Sequence, residues 1–279
     1  MQTDLLAGIR VLVTRPVHQA QALSDMLAEQ GGQVIRLPVI EIEAIALPQK
    51  TAVVLDEIDT IDFAVFISPN AVEFGLATLL AHGKIPDKMK LVTIGKASAQ
   101  KMRQLLGRAP DIYPTEQYNS EALLALNSLQ SDQVNHKKII IFRGQGGREL
   151  LATSLQQRGA LVDYIEVYRR KKPDIQSDVL ESIWGSGSQS SGPDIATVTS
   201  NEGLANLVAM FDCLSDDQQD SYLQHLWQTP LVVVTEKMRI SAQNLGFNNI
   251  IMVAARVGND AILESVLEWA KIRKQSIHH

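Results

Sequence analysis

The sequence predicts an α/β protein built as two similar parallel-sheet domains, and three observations carry that prediction. First, Ile139–Arg170 lies without gaps on Val11–Ile42, so that Arg143 falls on Arg15, Leu151 on Leu23, Leu155 on Leu27, Gly159 on Gly31 and Val162 on Val34. Each copy reads as a short buried strand, a loop, an amphipathic helix closed by glycine, and a second strand, which is one βαβ unit written twice. Second, Asp62–Gly75 matches Asp194–Leu207, Leu91–Leu105 matches Leu231–Leu245, and a weaker pair joins Asn119–Leu123 to Asn259–Leu263. Third, the pieces recur in cyclically shifted order. If consecutive strands share a sheet, residues 43–167 form one continuous domain, and residues 1–38 with 172–279 form a discontinuous one. The backbone then crosses twice, through 38–43 and 167–172, and two crossings imply a hinge and a cleft.

Composition narrows the functional classes. A hydrophobic content of 45% supports two real cores, and a net charge of −5 argues against general binding to nucleic acid or an anionic membrane. Met1–Pro16 shows no basic segment leading a long apolar one, so no signal peptide is expected. No apolar run approaches the roughly 20 residues of a membrane span. Cys213 stands alone, which rules out an internal disulfide and fits a reducing compartment; partial burial is its expected state. The cytoplasm is the expected location.

Along the chain, Ile9–Thr14 reads as a buried strand. Arg15-Pro16 turns it into a helix over about Gln19–Glu29, whose Ala22, Leu23, Met26 and Leu27 share a face. Val34–Leu37 is the next strand. Pro38–Leu47 and Val167–Lys172 lie at the crossings and are expected to pair as a short two-stranded ladder. Phe63–Ile67 and Leu91–Ile94 are strands, Ser120–Leu129 is a helix capped by Asn119 or Ser120, and Ile139–Phe142 and Val162–Ile165 complete the middle domain. A helix over Ser177–Trp184 leads into Gly185–Gly192, GSGSQSSG, which reads as a flexible loop without chemistry. Ile195–Thr199, Leu231–Val234 and Ile250–Val253 are strands, Asp260–Lys274 is the closing helix, and Gln275–His279 is expected to fray.

Parallel α/β sheets bind ligands at the carboxyl ends of their strands. Six loops fall there: Thr14-Arg15, Ser68-Pro69-Asn70, Gly95-Lys96-Ala97-Ser98, Arg143-Gly144-Gln145-Gly146-Gly147, Ser200-Asn201-Glu202-Gly203 and Thr235-Glu236-Lys237. They are rich in hydroxyls, glycine and N–H groups at helix starts, and so suit a ligand with several carboxylates or phosphates. Ser68, Asn70, Ser200 and Asn201 also sit where helix caps belong, a role compatible with binding. The glycines after Arg143 lack the P-loop lysine and the dinucleotide spacing. Arg15 and Arg143 hold one post in both repeats, either as a shared structural salt bridge or as a pair of carboxylate clamps. His18, His82, His136 and His225 are scattered and receive no role, and His278 and His279 read as solvated ends rather than metal ligands. Tyr168 aligns with Ile40, placing a phenol at the lip of the inferred cleft, as an interface tyrosine or as a hydrogen-bond donor and general acid.

VLVTRP near the start, FISPNAV, TIGKASA, PTEQYNSEALL, IIIFRGQGGRELLATSLQQRGA, the VY at 167–168 and TSNEGLANL, taken in that order, resemble the uroporphyrinogen-III synthase family over nearly the whole chain. The resemblance implies two flavodoxin-like domains joined by a two-stranded β-ladder, a cytoplasmic monomer, and a lyase of porphyrin and heme biosynthesis. The implied reaction cyclises hydroxymethylbilane to uroporphyrinogen III in the cleft, with loss of water and inversion of ring D, through an azafulvene cation and a spiro intermediate. No metal or organic cofactor is implied. The implied partner is the linear tetrapyrrole with its eight carboxylates, together with a transient contact to the preceding pathway enzyme. The family's functional tyrosine maps onto Tyr168 as the catalytic residue. Thr14, Arg15, Ser68, Asn70, Lys96, Ser98, Arg143, Gly144, Ser200, Asn201 and Thr235 are the expected substrate-binding positions, Ser98 standing where the family carries threonine. The alternative reading is a non-catalytic, two-lobed binding protein for a polycarboxylate small molecule.

Overall fold

The structure is a computed structural model that describes residues 4–83, 85–147, 149–185, 192–256 and 258–277. The strands are β1 (Arg10–Val13), β2 (Gln33–Arg36), β3 (Glu41–Ala44), β4 (Phe63–Phe66), β5 (Lys90–Thr93), β6 (Lys138–Gly144), β7 (Leu161–Lys171), β8 (Ile195–Thr197), β9 (Leu231–Val233) and β10 (Ile251–Val253). They form two five-stranded sheets, β2-β1-β8-β9-β10 and β3-β7-β6-β4-β5. The chain divides into two compact units, Met1–Glu41 with Lys171–His279, and Ile42–Arg170.

Within each unit the sheet is covered on both faces, as near-continuous apolar strands require. Successive residues of a strand point to opposite faces. Accordingly Leu12 packs with Leu204 and Phe211 on one side, while Val11 and Val13 pack with Leu23 and Trp269 on the other. In the second unit Ile140 and Phe142 face Leu76 and Met102, and Ile139 and Ile141 face Leu123 and Leu155.

The duplication is visible in hydrogen bonds. Asp62 and Asp194 hold equivalent posts: each donates its backbone N–H to the carbonyl of the residue that opens the neighbouring strand, and each carboxylate accepts that residue's N–H, from Lys138 at 2.9 Å and from Arg10 at 2.8 Å. Gly31 and Gly159 close their helices at φ +84° and +87°, a region that favours glycine. The residue after each, Gly32 or Ala160, donates to the carbonyl of Leu27 or Leu155 at 3.1 Å.

Several elements depart from the sequence reading. The two strands expected at Val162–Ile165 and Val167–Lys172 are one continuous strand, β7, ending at Lys171 and lying beside β3 at the sheet edge. Ile45 N–H donates to the Val167 carbonyl, Glu43 pairs with Arg169 and Glu41 with Lys171, so partner numbers rise on β3 as they fall on β7. The helix expected over Ser120–Leu129 stops at Ala125. The carbonyls at and after its end are taken by side chains: the distant Arg158 donates to Leu124 and Leu129, and the nearby Gln130 to Leu124 and Leu126. The last helix runs Asn259–Ile277, past the expected end at Lys274. Cys213 is exposed rather than partly buried, because it ends a short 3-10 turn with its thiol on the Met210 carbonyl. Apart from its two terminal glycines, the Gly185–Gly192 loop lies outside the described residues, as do His278 and His279.

Candidate active site

The six loops lie at the carboxyl ends of β1, β4, β5, β6, β8 and β9, three in each unit. In the unit Ile42–Arg170, Ser68 sits between β4 and the helix Pro69–Ala81 in an extended conformation, and its Oγ caps that helix by accepting the Ala71 N–H at 3.0 Å. Asn70 does not cap; it lies inside the helix and is buried. The register of β7 against β6 slips between Arg143 and Gly144, so that Arg143 faces Glu166 while Gly144 faces Tyr168. Such a slip re-aims side chains. Without it Tyr168 would share a face with Tyr164 and Glu166. With it, the ring joins Ile165 and Val167 in the core cluster.

Tyr168 is therefore buried, 3% exposed. Its ring stacks on Phe74 at 5.8 Å between centroids. A Cβ on Gly144 would lie 2.6 Å from the ring, so glycine is the residue that lets the tyrosine lie over the end of β6. Its hydroxyl is 3.1 Å from Ser68 Oγ.

Arg143 is 4% exposed. Its guanidinium lies over the Tyr164 ring at 4.5 Å, Nε donates to the Gly144 carbonyl at 3.2 Å, and Glu166 Oε1 is 3.9 Å from that nitrogen. Tyr164 and Glu166 escaped the sequence reading, although their two-residue spacing on β7 was the available signal. Both line a cavity of about 680 Å³ with Ala44, Ile45, Pro48 and Gln145, which Tyr168 does not line. Lys96 opens its helix and is exposed, whereas Ser98 is buried on the inner face. Gly95 lies against Tyr118, whose Cβ would be 2.8 Å from an added Cβ, a contact the sequence did not announce. Thr93, at the end of β5, is fully buried and its hydroxyl has no hydrogen-bond partner.

In the other unit, Thr14 is buried and its hydroxyl is already donated to the Thr197 carbonyl at 2.8 Å. Arg15 donates to Asn259 Oδ1 at 2.5 Å while its Nε is buried without a partner. Burial without a counter-charge pulls its pKa below the usual arginine value. Arg15 and Arg143 thus share a sequence post but no common salt bridge. The reason is tertiary: the neighbours are an amide from the last helix in one case and a phenol with a carboxylate from β7 in the other. Ser200 and Thr235 cap their helices, accepting N–H groups from Gly203 at 2.9 Å and Met238 at 3.2 Å. Asn201 is the exposed first residue of its helix and caps nothing.

The family model described as uroporphyrinogen-III synthase HemD matches residues 21–264. The uroporphyrinogen-III synthase of Salmonella typhimurium is 31% identical over 262 residues, covering 92% of this chain and 99% of that protein. The enzyme of the same name from Proteus mirabilis is 36% identical over 175 residues, 62% of this chain and 86% of that one. Among solved structures, the Helicobacter pylori uroporphyrinogen-III synthetase superposes with a TM-score of 0.55 at 13% identity, over 94% of this chain and 99% of that one. A mutant uroporphyrinogen III synthase from Thermus thermophilus gives 0.52 at 14% identity, over 95% and 99%. These structural likenesses concern the fold, an α/β architecture with parallel sheets.

Proposed function

We propose, from the premise that the chain belongs to the uroporphyrinogen-III synthase family, that it cyclises hydroxymethylbilane to uroporphyrinogen III, with loss of water and inversion of the last ring. The two units are read as flavodoxin-like: β2-β1-β8-β9-β10 has the order second, first, third, fourth, fifth within its unit, and β7-β6-β4-β5 repeats the first four places. The pairing of β3 beside β7 supports reading these strands as the hinge ladder.

The observation that carries the chemical reading is the Tyr168 phenol at the carboxyl ends of β4 and β6, fixed by Gly144 and Phe74 and hydrogen-bonded only through its hydroxyl. A phenol so held keeps one freedom, the direction of its O–H. As general acid it protonates the terminal hydroxyl of the bilane while the C–O bond breaks, leaving water, the azafulvene cation and a phenolate. The cation is attacked by the substituted carbon of the fourth pyrrole. After fragmentation and reclosure, the proton shed from the newly joined carbon restores the phenol, so protons balance over the cycle. Because Tyr168 is 3% exposed, contact with substrate requires its hydroxyl to be uncovered.

The carboxylates are assigned to Lys96, to Arg15 and Arg143, to Gly144, and to the loops and helix starts at Thr14, Asn70, Ser98, Ser200, Asn201 and Thr235, where N–H groups and partial positive charge favour anions. No described helix is long and apolar enough to cross a membrane. A cytoplasmic location and a transient contact with the enzyme that supplies the bilane belong to the same proposal.

The test adds enzymatically made hydroxymethylbilane and scores the oxidised product. Isomer III is expected in excess of the isomer I that forms spontaneously. Isomer I alone, with ligand bound, would establish the non-catalytic binding protein instead. Tyr168→Phe keeps the ring packing and removes only the hydroxyl; turnover is expected to fall by about a hundredfold or more with the fold intact. Parental turnover in that variant would remove the acid.

A further inference from the structure

Ser68 stands among the substrate-binding positions on sequence grounds, but its geometry gives it another task. Its Oγ already accepts the Ala71 N–H at 3.0 Å, and the same atom lies 3.1 Å from the Tyr168 hydroxyl. A serine hydroxyl has one hydrogen to give and two lone pairs. The helix N–H occupies one pair, and the thirteen-residue helix Pro69–Ala81 presents the positive end of its dipole there. An oxygen that receives a hydrogen bond and sits in a positive field gives its own proton more strongly. We propose that Ser68 is a positioning residue that donates its hydroxyl hydrogen to the Tyr168 oxygen, turning the phenolic O–H outward toward the group it protonates.

The chain of donors then has one direction: Ala71 N–H to Ser68 Oγ, Ser68 O–H to Tyr168 Oη, Tyr168 O–H to the leaving hydroxyl. The opposite polarity, Tyr168 giving its proton to Ser68, would spend the acid on the protein. When the phenolic proton leaves, the Ser68 hydrogen bond and the helix start stabilise the phenolate, and no proton moves through Ser68 itself. The two residues lie 100 positions apart in sequence, and their meeting depends on the register slip at Arg143/Gly144 and on the missing Cβ of Gly144. The inference rests on the reading of Tyr168 as the acid.

Three substitutions separate donation from capping. Ser68→Ala removes both. Ser68→Asp keeps a good cap but offers only acceptors, so Tyr168 would turn its proton inward. Ser68→Thr keeps both. Turnover by the full chain on hydroxymethylbilane is measured alongside the 13Cζ resonance of Tyr168 in the substrate-free protein, assigned with Tyr168→Phe. The alanine and aspartate variants are expected to lose about tenfold in kcat with KM unchanged and to shift the resonance, and threonine is expected to restore both. A raised KM with parental kcat would place Ser68 on the substrate directly and overturn the relay. An active, folded Ser68→Asp with an unmoved resonance would reduce Ser68 to a helix cap. If Tyr168→Phe is fully active, the acid fails and the relay fails with it; if only the Ser68 variants are indifferent, the relay fails alone.

Discussion

Arg15 and Arg143 stand at one post of a duplicated plan, and the residue next to each shows where the two units parted. After Arg15 comes Pro16, and the aligned position on the next crossing is Ile40; after Arg143 comes Gly144, and the aligned position is Tyr168. A large ring and an absent Cβ occur together because the ring occupies the space a Cβ would need, at 2.6 Å. The features that hold the plan itself, the carboxylates of Asp62 and Asp194 and the capping hydroxyls of Ser68 and Ser200, do the same work in both units. Duplication preserved contacts where strands open and where the following helices are capped. It released the pair Gly144 and Tyr168, which have Pro16 and Ile40 as their counterparts.

That contrast can be broken most severely at Gly144. Gly144→Ala should cost about 1–3 kcal/mol in denaturant unfolding, because Tyr168 must move out of its packed position, and turnover should fall with it. Pro16→Ala at the aligned post should cost only about 0.5–1 kcal/mol, the entropy a proline withholds from the unfolded chain. Equal losses would mean that the close approach at Gly144 is relieved elsewhere. Next in size, Arg143→Ala should destabilise by about 1–2 kcal/mol through the lost stacking on Tyr164 and its packing. Arg15→Ala should fall within about 0.5 kcal/mol of the parent, since the lost bond to Asn259 is offset by release of the unpartnered Nε. A reversed order in chemical melts would show that the desolvated Arg15 is the better-compensated cation. The smallest contrast lies at the caps: Ser68→Ala and Ser200→Ala should each lose about 1 kcal/mol, with little difference between them in stability. A much larger loss at Ser68 would mean that the Tyr168 contact contributes to folding as well as to the acid.

The duplication was legible from the ungapped match of two distant segments, and the buried strands, the glycine-closed helices and the capping serines because each depends on residues within a few positions of one another. So was the placing of the six loops, since parallel strands alternating with helices dictate it. The end of the helix at Ala125 was not legible, since Arg158, 34 residues on, supplies the Leu124 carbonyl with a donor that no helical period announces. Nor were the separate fates of Arg15 and Arg143, whose partners come from the last helix and from β7.

By itself, then, the sequence determined the repeated strand–helix plan and the loops at the carboxyl ends of the strands, because hydrophobic period and turn chemistry are local properties. Only the tertiary structure decided that Tyr168 is buried, that it meets Ser68, and that Gly144 makes the room. Those facts turn on a one-residue slip in register between two strands, and a slip of that kind leaves the composition and spacing of both strands unchanged.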